Sequence, residues 1–346
     1  MRPCLRPGVR VWWRRVDAVQ LGIGEHSQLI TGLPVGSATL FRLLDGTREL
    51  ADIATTVFAA TGLAPERVAH IVTSLVDLGV LYDAGALPRL DGLPLYTRDR
   101  LRSEALSWVE GTDPAHALDR RRAAQVRVLS CDPTTVATAA LLAASGVGHF
   151  AVSSAPDESE LVQADDILPG GLSSDVLGTP RVSAVRQALA QLGAETRAQK
   201  VRPDANIALL SFQEYATTTG FAAPEIPYVT TSVSGRSAVV GPLVIPGITA
   251  CAVCESMSRE DRDAALVHDD TEGLQPPIGL AAAAVTAVQL AAVHAAVAVL
   301  EFLDQSNGAR LPALAGHVLH IDVPGPTLQL SVVRPHPRCG CCWDAA

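Results

Sequence analysis

The sequence predicts an α/β protein in two parts: a small N-terminal unit with a winged-helix-like order of elements, and a larger unit built on a parallel sheet. Three observations lead there. Short strand-like runs and then three helical patterns fill residues 1–85, strands alternate with helices from residue 123, and cysteines gather near residue 250 and at the C-terminus. A chain of 346 residues exceeds one typical domain, and 48% hydrophobic against 18% charged residues is enough for a sizeable core.

In the first unit, "VRVWWRR" at 9–15, "AVQLGI" at 18–23 and "HSQLI" at 26–30 read as strands, with Gly22 and Gly24 as turn residues between them. Leu40, Leu43 and Leu44 mark a helical run over 35–44, which Asp45-Gly46 ends. Leu50, Ile53, Val57 and Phe58 mark a second over 48–60. The third helix opens near Pro65 and stops at Gly79, and its Val68, Ile71, Val72 and Leu75 recur at i, i+3, i+4, i+7 as one apolar stripe. "VLYDAG" closes the unit. Residues 86–122 are broken by Pro88, Gly92, Pro94, Gly111 and Pro114 and end in Arg120, Arg121 and Arg122; they read as a linker with a short helix around 99–109.

From residue 123 the second unit runs to 346. "QVRVLSC" (125–131), "HFAVSSA" (149–155) and "NIALLSF" (206–212) read as strands, and "TTVATAALLAASG" (134–146) and "RVSAVRQALAQLG" (181–193) as helices, a pattern that implies a parallel sheet with helices on its faces. The long apolar run at 280–303 is mostly Ala, interrupted by Thr286, Gln289 and His294, so it reads as a buried core helix and not a membrane span. The first 15 residues lack a signal-peptide core, which points to a cytoplasmic chain with no membrane partner. A net charge of −9, from 36 acidic against 27 basic residues, argues against a nucleic-acid partner.

The strongest chemical signal is Cys251-Ala-Val-Cys254 together with the tail "HPRCGCCWDAA" at 336–346. Two pairs of thiolates make a closed tetrahedral zinc site, and four sulfurs leave no open position for catalysis. In a reducing compartment such clusters bind metal more often than they form disulfides. Cys339 with either Cys341 or Cys342 completes the set, and a redox pair or unpaired buried thiols are the competing readings.

A nucleotide-binding turn belongs after the first strand of the larger unit, where glycines let helix amides approach phosphate. The sequence there is "VLSCDPTTVA", with no Gly, with Pro133 lacking an amide donor and with Asp132 adding a negative charge. The acid expected at the end of the next strand is replaced by Ser153 and Ser154, and Asp157 comes late. In the loop 164–181, Asp165, Asp166 and Asp175 are candidate magnesium ligands, but a solvated acidic loop is the plainer reading. The histidines form no triad, and His317 and His320 read as a strand face. Cys4 and Cys131 read as small hydrophobes, and Lys200 is the only lysine.

The segment "VVGPLVIPGITACAVCESMSREDRDAAL" (239–266), with "HPRCGC" (336–341), "GVGHFAV", "PGGL" and "GTPR", resembles the ThiF-like branch of the ubiquitin-activating superfamily over about 125–346. Within it, the match is to ThiF-like proteins encoded with ribosomally made, modified peptides. "VQLG", "LLDGTRELADI" and "SLVDLGVLYDA" resemble the PqqD-like peptide-recognition domain over about 8–84. These resemblances imply a winged-helix leader-binding domain before a Rossmann-like ThiF-type domain with a Cys4 structural zinc site at Cys251, Cys254, Cys339 and Cys341. Family spacing favours Cys341 over Cys342. They also imply that a leader peptide adds as a strand at Gln28, Leu29 and Ile30, against a groove walled by Val68, Ile71, Val72 and Leu75. At least two of those four are expected in the core.

The sequence departs from the adenylating members of the superfamily. The glycine loop and ribose acid are missing, Arg181 stands where a lysine is expected, and Glu214 stands where an aspartate is expected. The implied role has no catalytic residue and no ATP. It is that of a leader-peptide-binding partner of a YcaO-type cyclodehydratase, which forms azolines from Cys, Ser or Thr. An active ATP-dependent adenylyltransferase acting on a peptide carboxylate is the alternative, and a thiol-transfer enzyme a third reading. Superfamily analogy implies a homodimer.

Overall fold

The structure, a computed structural model, describes every residue except 7, 25–26, 86–89, 91–92, 107–113, 154–159, 199–205, 212–223, 263–282, 306–310, 326 and 342–346. It divides into two units, Met1–Asp119 and Arg120–Ala346.

In the first unit, β1 (Pro3–Leu5) is paired antiparallel by β5 (Leu81–Asp83), while β2 (Val11–Arg15), β3 (Ala18–Leu21) and β4 (Gln28–Thr31) form an antiparallel sheet in that order. Three helices lie between β4 and β5: α1 (Ser37–Arg42), α2 (Leu50–Thr61) and α3 (Pro65–Asp77). All the expected elements are present at close to the expected bounds. β1 is an addition, since three residues are too few to show a period. One core gathers the inward faces: Val19, Leu40, Ile53, Val57 and Val68 are fully buried, and Trp13 packs edge-on against Phe41 with centroids 5.6 Å apart.

The segment expected as a linker with one short helix carries two, α4 (Leu95–Leu106) and α5 (Pro114–Ala123). Leu101 and Leu118 are fully buried against each other. Each helix places its buried leucine among charged neighbours, so no apolar period marks it. The last turn of α5 belongs to the second unit.

There β6 (Gln125–Val128), β7 (His149–Val152), β8 (Glu195–Ala198), β9 (Ile207–Ser211), β10 (Tyr228–Ser234), β11 (Ser237–Val244), β12 (His317–Asp322) and β13 (Thr327–Val332) form one sheet, ordered β13-β12-β11-β10-β9-β6-β7-β8. From β8 to β10 the strands are parallel; from β10 to β13 they are antiparallel. In chain order the parallel part reads 3-2-1-4-5, the doubly wound arrangement, with its switch point between β6 and β9. α6 (Pro133–Ala144) and α7 (Arg181–Gln191) are crossover helices, and α8 (Ala252–Arg262) follows β11.

The long apolar run forms α9 (Val285–Asp304), which is long and apolar enough to cross a membrane. It packs against α6, β10, β11 and β12 through Ala287, Ala291, Ala295 and Val299, all fully buried. Small alanines let the helix lie close on the sheet.

Arg121 fastens the C-terminal end of α9. Its guanidinium donates to both carboxylate oxygens of Asp304 at 2.7 and 2.5 Å and to the carbonyl of Ser145, where α6 ends. The chain also passes close at Gly148, where a Cβ would stand 1.9 Å from the carbonyl oxygen of Arg122; only glycine fits.

Candidate functional site

Cys251 precedes α8 and Cys254 lies in its first turn, while Cys339 and Cys341 reach them from the tail. The four Sγ atoms lie within 4.8 Å of one another, at 3.8 Å for Cys251–Cys254, 3.4 Å for Cys251–Cys339 and 3.3 Å for Cys254–Cys341. A zinc ion with Zn–S bonds of about 2.3 Å sets tetrahedral S···S edges of about 3.8 Å, so this donor set fits a small thiophilic cation. Burial pushes the Cys254 thiol up to about 11 and the Cys251 thiol further. Without a cation these groups stay protonated, and a bound cation deprotonates them outright. Cys251 and Cys254 are buried, Cys339 is half-buried and Cys341 exposed. Cys341 is the fourth sulfur of the cluster among the described residues; Cys342 lies outside them.

Neither Asp261 nor Arg338 was singled out by the sequence, yet Asp261 meets the tail here through His336 and Arg338. His336 Nε2 lies 2.8 Å and Arg338 Nη2 2.6 Å from the two carboxylate oxygens of Asp261. The "HP" of the tail motif and the aspartates of "SREDRD" were the available signal, but nothing in the sequence pairs them.

At the switch point, Asp132 caps α6. Its Oδ1 accepts from the amides of Thr134 (3.0 Å) and Thr135 (3.2 Å), and its Oδ2 accepts from the hydroxyls of Ser130 (3.1 Å) and Thr135. A carboxylate therefore sits where the helix end would hold phosphate. Ser130 Oγ in turn accepts from the amide of Ser211 at the end of β9, at 2.6 Å. Arg181 is also engaged: Nη1 meets Glu160 at 2.9 Å and Nη2 meets Asp166 at 3.0 Å. Asp166 is buried, so this member of the acidic loop is an ion-pair partner and not solvated. Asp165 and Asp175 are exposed, and among the described residues the three aspartates form no metal grouping. Lys200, Glu214, Asp157 and Ser154 lie outside the described residues. His317 and His320 lie on β12, on a strand as expected.

In the first unit, Gln28, Leu29 and Ile30 lie on β4, an edge strand of its sheet. The register opposes Val19 to Ile30 and Leu21 to Gln28, so those two share the core-facing side, while Leu29 pairs with Gln20 on the outer side and is 62% exposed. On α3, Val68, Ile71, Val72 and Leu75 are all buried, with Ile71 the least so at 9%. All four therefore belong to the core, two more than the minimum expected.

The doubly wound sheet with its mixed extension and its four-cysteine cluster define the class of architecture. The solved structures it resembles include E. coli MccB with ATP, with TM-score 0.66 and 16% identity over 99% of this chain and 100% of that one. The microcin C7 biosynthetic enzyme MccB in complex with N-formylated MccA matches with TM-score 0.65 and 16% identity over 99% and 100%. PaaA matches with TM-score 0.66 and 16% identity over 94% and 98%. At these identities the likeness is one of fold. No family model and no curated protein sequence matches the chain.

Proposed function

We propose that this chain binds the leader of a ribosomally made precursor peptide and presents it to a separate modifying enzyme, a YcaO-type cyclodehydratase that forms azolines from Cys, Ser or Thr. The observation that carries the reading is the self-filled switch point. Asp132 occupies the amides of α6 and Ser130 bridges to β9, so the chain's own groups take the contacts an ATP phosphate needs. The Glu160 and Asp166 carboxylates neutralise Arg181, the cation a nucleotide would meet.

Peptide capture falls to the first unit, read as a PqqD-like winged helix. β4 lies at the edge of its sheet, where an extended peptide adds by main-chain hydrogen bonds. Gln28 and Ile30 turn to the inner side, and Ile30 packs against the core that holds the α3 stripe, the wall proposed for the peptide groove. Support from the comparisons is that MccB, with the same fold, has been crystallised with the peptide MccA.

In the second unit, zinc at Cys251, Cys254, Cys339 and Cys341 joins the tail to the start of α8; bound structural zinc supplies about 10 kcal/mol or more of folding free energy in small domains. The edge strand β13 carries no charge and exposes Leu328, Leu330 and Val332, which suits a homodimer.

The test pairs two measurements on the full chain. A labelled leader peptide from a neighbouring precursor gene is expected to bind, with addition of the cyclodehydratase giving a ternary complex. ATP–pyrophosphate exchange is expected to be absent. Robust exchange overturns the reading in favour of an active adenylyltransferase, and failure of the leader to bind overturns the presenting role.

A further inference from the structure

We propose that Asp261 is a positioning residue for the four-cysteine centre: it clasps tail residues 336–338 so that Cys339 and Cys341 stand opposite Cys251 and Cys254 before any metal arrives. The inference rests on the metal reading of the cysteines and extends it to groups outside the ligand set.

The clasp is a set of mutually fixed contacts. Asp261 lies near the end of α8, the helix whose start carries the first cysteine pair. One of its carboxylate oxygens meets His336 Nε2 at 2.8 Å, and the other accepts from Arg338 Nη2 at 2.6 Å. His336 Nδ1 accepts from the amide of Arg338 at 3.2 Å. That bond makes Nδ1 the acceptor, so Nε2 carries the proton and donates to Asp261. Both ring nitrogens are thereby used, which explains how a histidine beside the cluster stays out of the ligand set.

The turn closes on itself and on the cluster. The amide of Cys339 donates to the carbonyl of His336 at 3.0 Å, and the amide of His336 donates to Cys254 Sγ at 3.2 Å. Pro335 and Pro337 flank His336 and restrict the backbone on either side, so less freedom is lost when the turn docks. Gly340 has φ +77, which turns the chain between Cys339 and Cys341.

His336 is 9% exposed, whereas the Asp261 and Arg338 side chains are 54% and 66% exposed. An exposed Asp–Arg pair alone adds little. Here the same carboxylate also satisfies a buried imidazole, which has no other partner for its Nε2 proton among the described contacts. Groups beyond the ligands that orient a metal site typically change its affinity by about 10–100-fold when lost.

The experiment uses the full chain loaded with zinc, with two readouts. In the first, zinc transfer to a chromophoric chelator is timed for wild type, Asp261→Asn, Arg338→Gln and the double variant. Release is expected to be about 10–100-fold faster in Asp261→Asn, with the double variant little worse than that single one. In the second, hydrogen exchange of a peptide covering 333–341 is followed in chelator-stripped protein. Those amides are expected to stay protected in wild type and to exchange about tenfold faster in Asp261→Asn, because the clasp precedes the metal. Wild-type release rates in both single variants, or an unprotected tail in stripped wild type, overturn the positioning role. A wild-type chain that takes up no zinc overturns instead the metal reading beneath it. Asp261 and Arg338 are surface side chains, so both variants are expected to fold.

Discussion

The amide of Ser211 donates to Ser130 Oγ at 2.6 Å, joining the ends of β6 and β9 where the strand order reverses. In doubly wound sheets that crevice is the usual ligand site. In this chain a buried serine bridges it, and the hydroxyl's own proton goes to Asp132.

Replacing Ser130 by Ala leaves the buried Ser211 amide without its acceptor, at an expected cost of about 1–3 kcal/mol. Asp132→Ala removes the α6 cap and is expected to cost about 1 kcal/mol. Calorimetry on the full chain checks both, and the two effects should not add, because Ser130 and Asp132 share a hydrogen bond.

Arg121→Ala strands the Asp304 carboxylate. Arg121 is 4% exposed and Asp304 23%, so the loss belongs at the lower end of the buried-pair range, about 3 kcal/mol. Thermal unfolding should show it as a lowered transition of the second unit. An unchanged transition would mean that packing and the Arg120 hydrogen bond to the Asp304 carbonyl hold the α9 end without Arg121.

After chelation four more thiols than in the zinc-loaded protein are expected to react, the half-buried Cys339 and exposed Cys341 quickly and the buried Cys251 and Cys254 slowly. Titration with a thiol reagent before and after chelation counts them. Cys254→Ser should damage the protein more than Cys341→Ser, because Cys254 is fully buried and Cys341 exposed.

For the peptide edge, prolines placed singly at residues 29 and 30 make a paired test. Successive amides of a strand point to opposite sides, so one of the two faces the open edge of β4 and the other pairs with β3. One variant is expected to keep wild-type thermal unfolding while losing at least tenfold in leader affinity; the other should lose sheet stability. Two stable variants that bind as wild type does would remove β4 as the docking strand.

Acid should weaken the first unit. Hydrogen bonds from the Thr47 hydroxyl and amide hold the Asp45 carboxyl below its usual range. Burial acts to raise Asp83, but hydrogen bonds from the amides of Arg2 and Gly85 outweigh it, and its carboxyl is also held low. A carboxyl with a depressed folded value stabilises above the unfolded value, about 3.9, and loses that contribution as pH falls through the folded value. Unfolding followed between pH 5.5 and 3 should show the decline, and Asp83→Asn should flatten part of it.

Much of the architecture was legible in the residues. The stripe Val68-Ile71-Val72-Leu75 marked α3, and Pro65 its start, because helix periodicity and proline's fixed φ act within one turn. The alternation after residue 123 marked the parallel sheet, and Cys251-Ala-Val-Cys254 with the tail cysteines marked the four-cysteine cluster. β8 escaped notice because Glu195, Thr196 and Arg197 make it polar, and α5 was masked by its many charges, while α4 overlaps the short helix expected around 99–109. Arg120–Arg122 read as linker, yet Arg121 holds a helix end nearly two hundred positions away.

The sequence by itself determined the local elements, the absence of a glycine turn after β6 and the candidate cysteines, since these depend on neighbouring residues or on residue type. Only the tertiary structure decided which groups meet. Ser130 reaches across to β9, and Asp261 meets His336 and Arg338 from 75 and 77 positions apart. Such pairings depend on how distant segments pack, and no spacing along the chain encodes them.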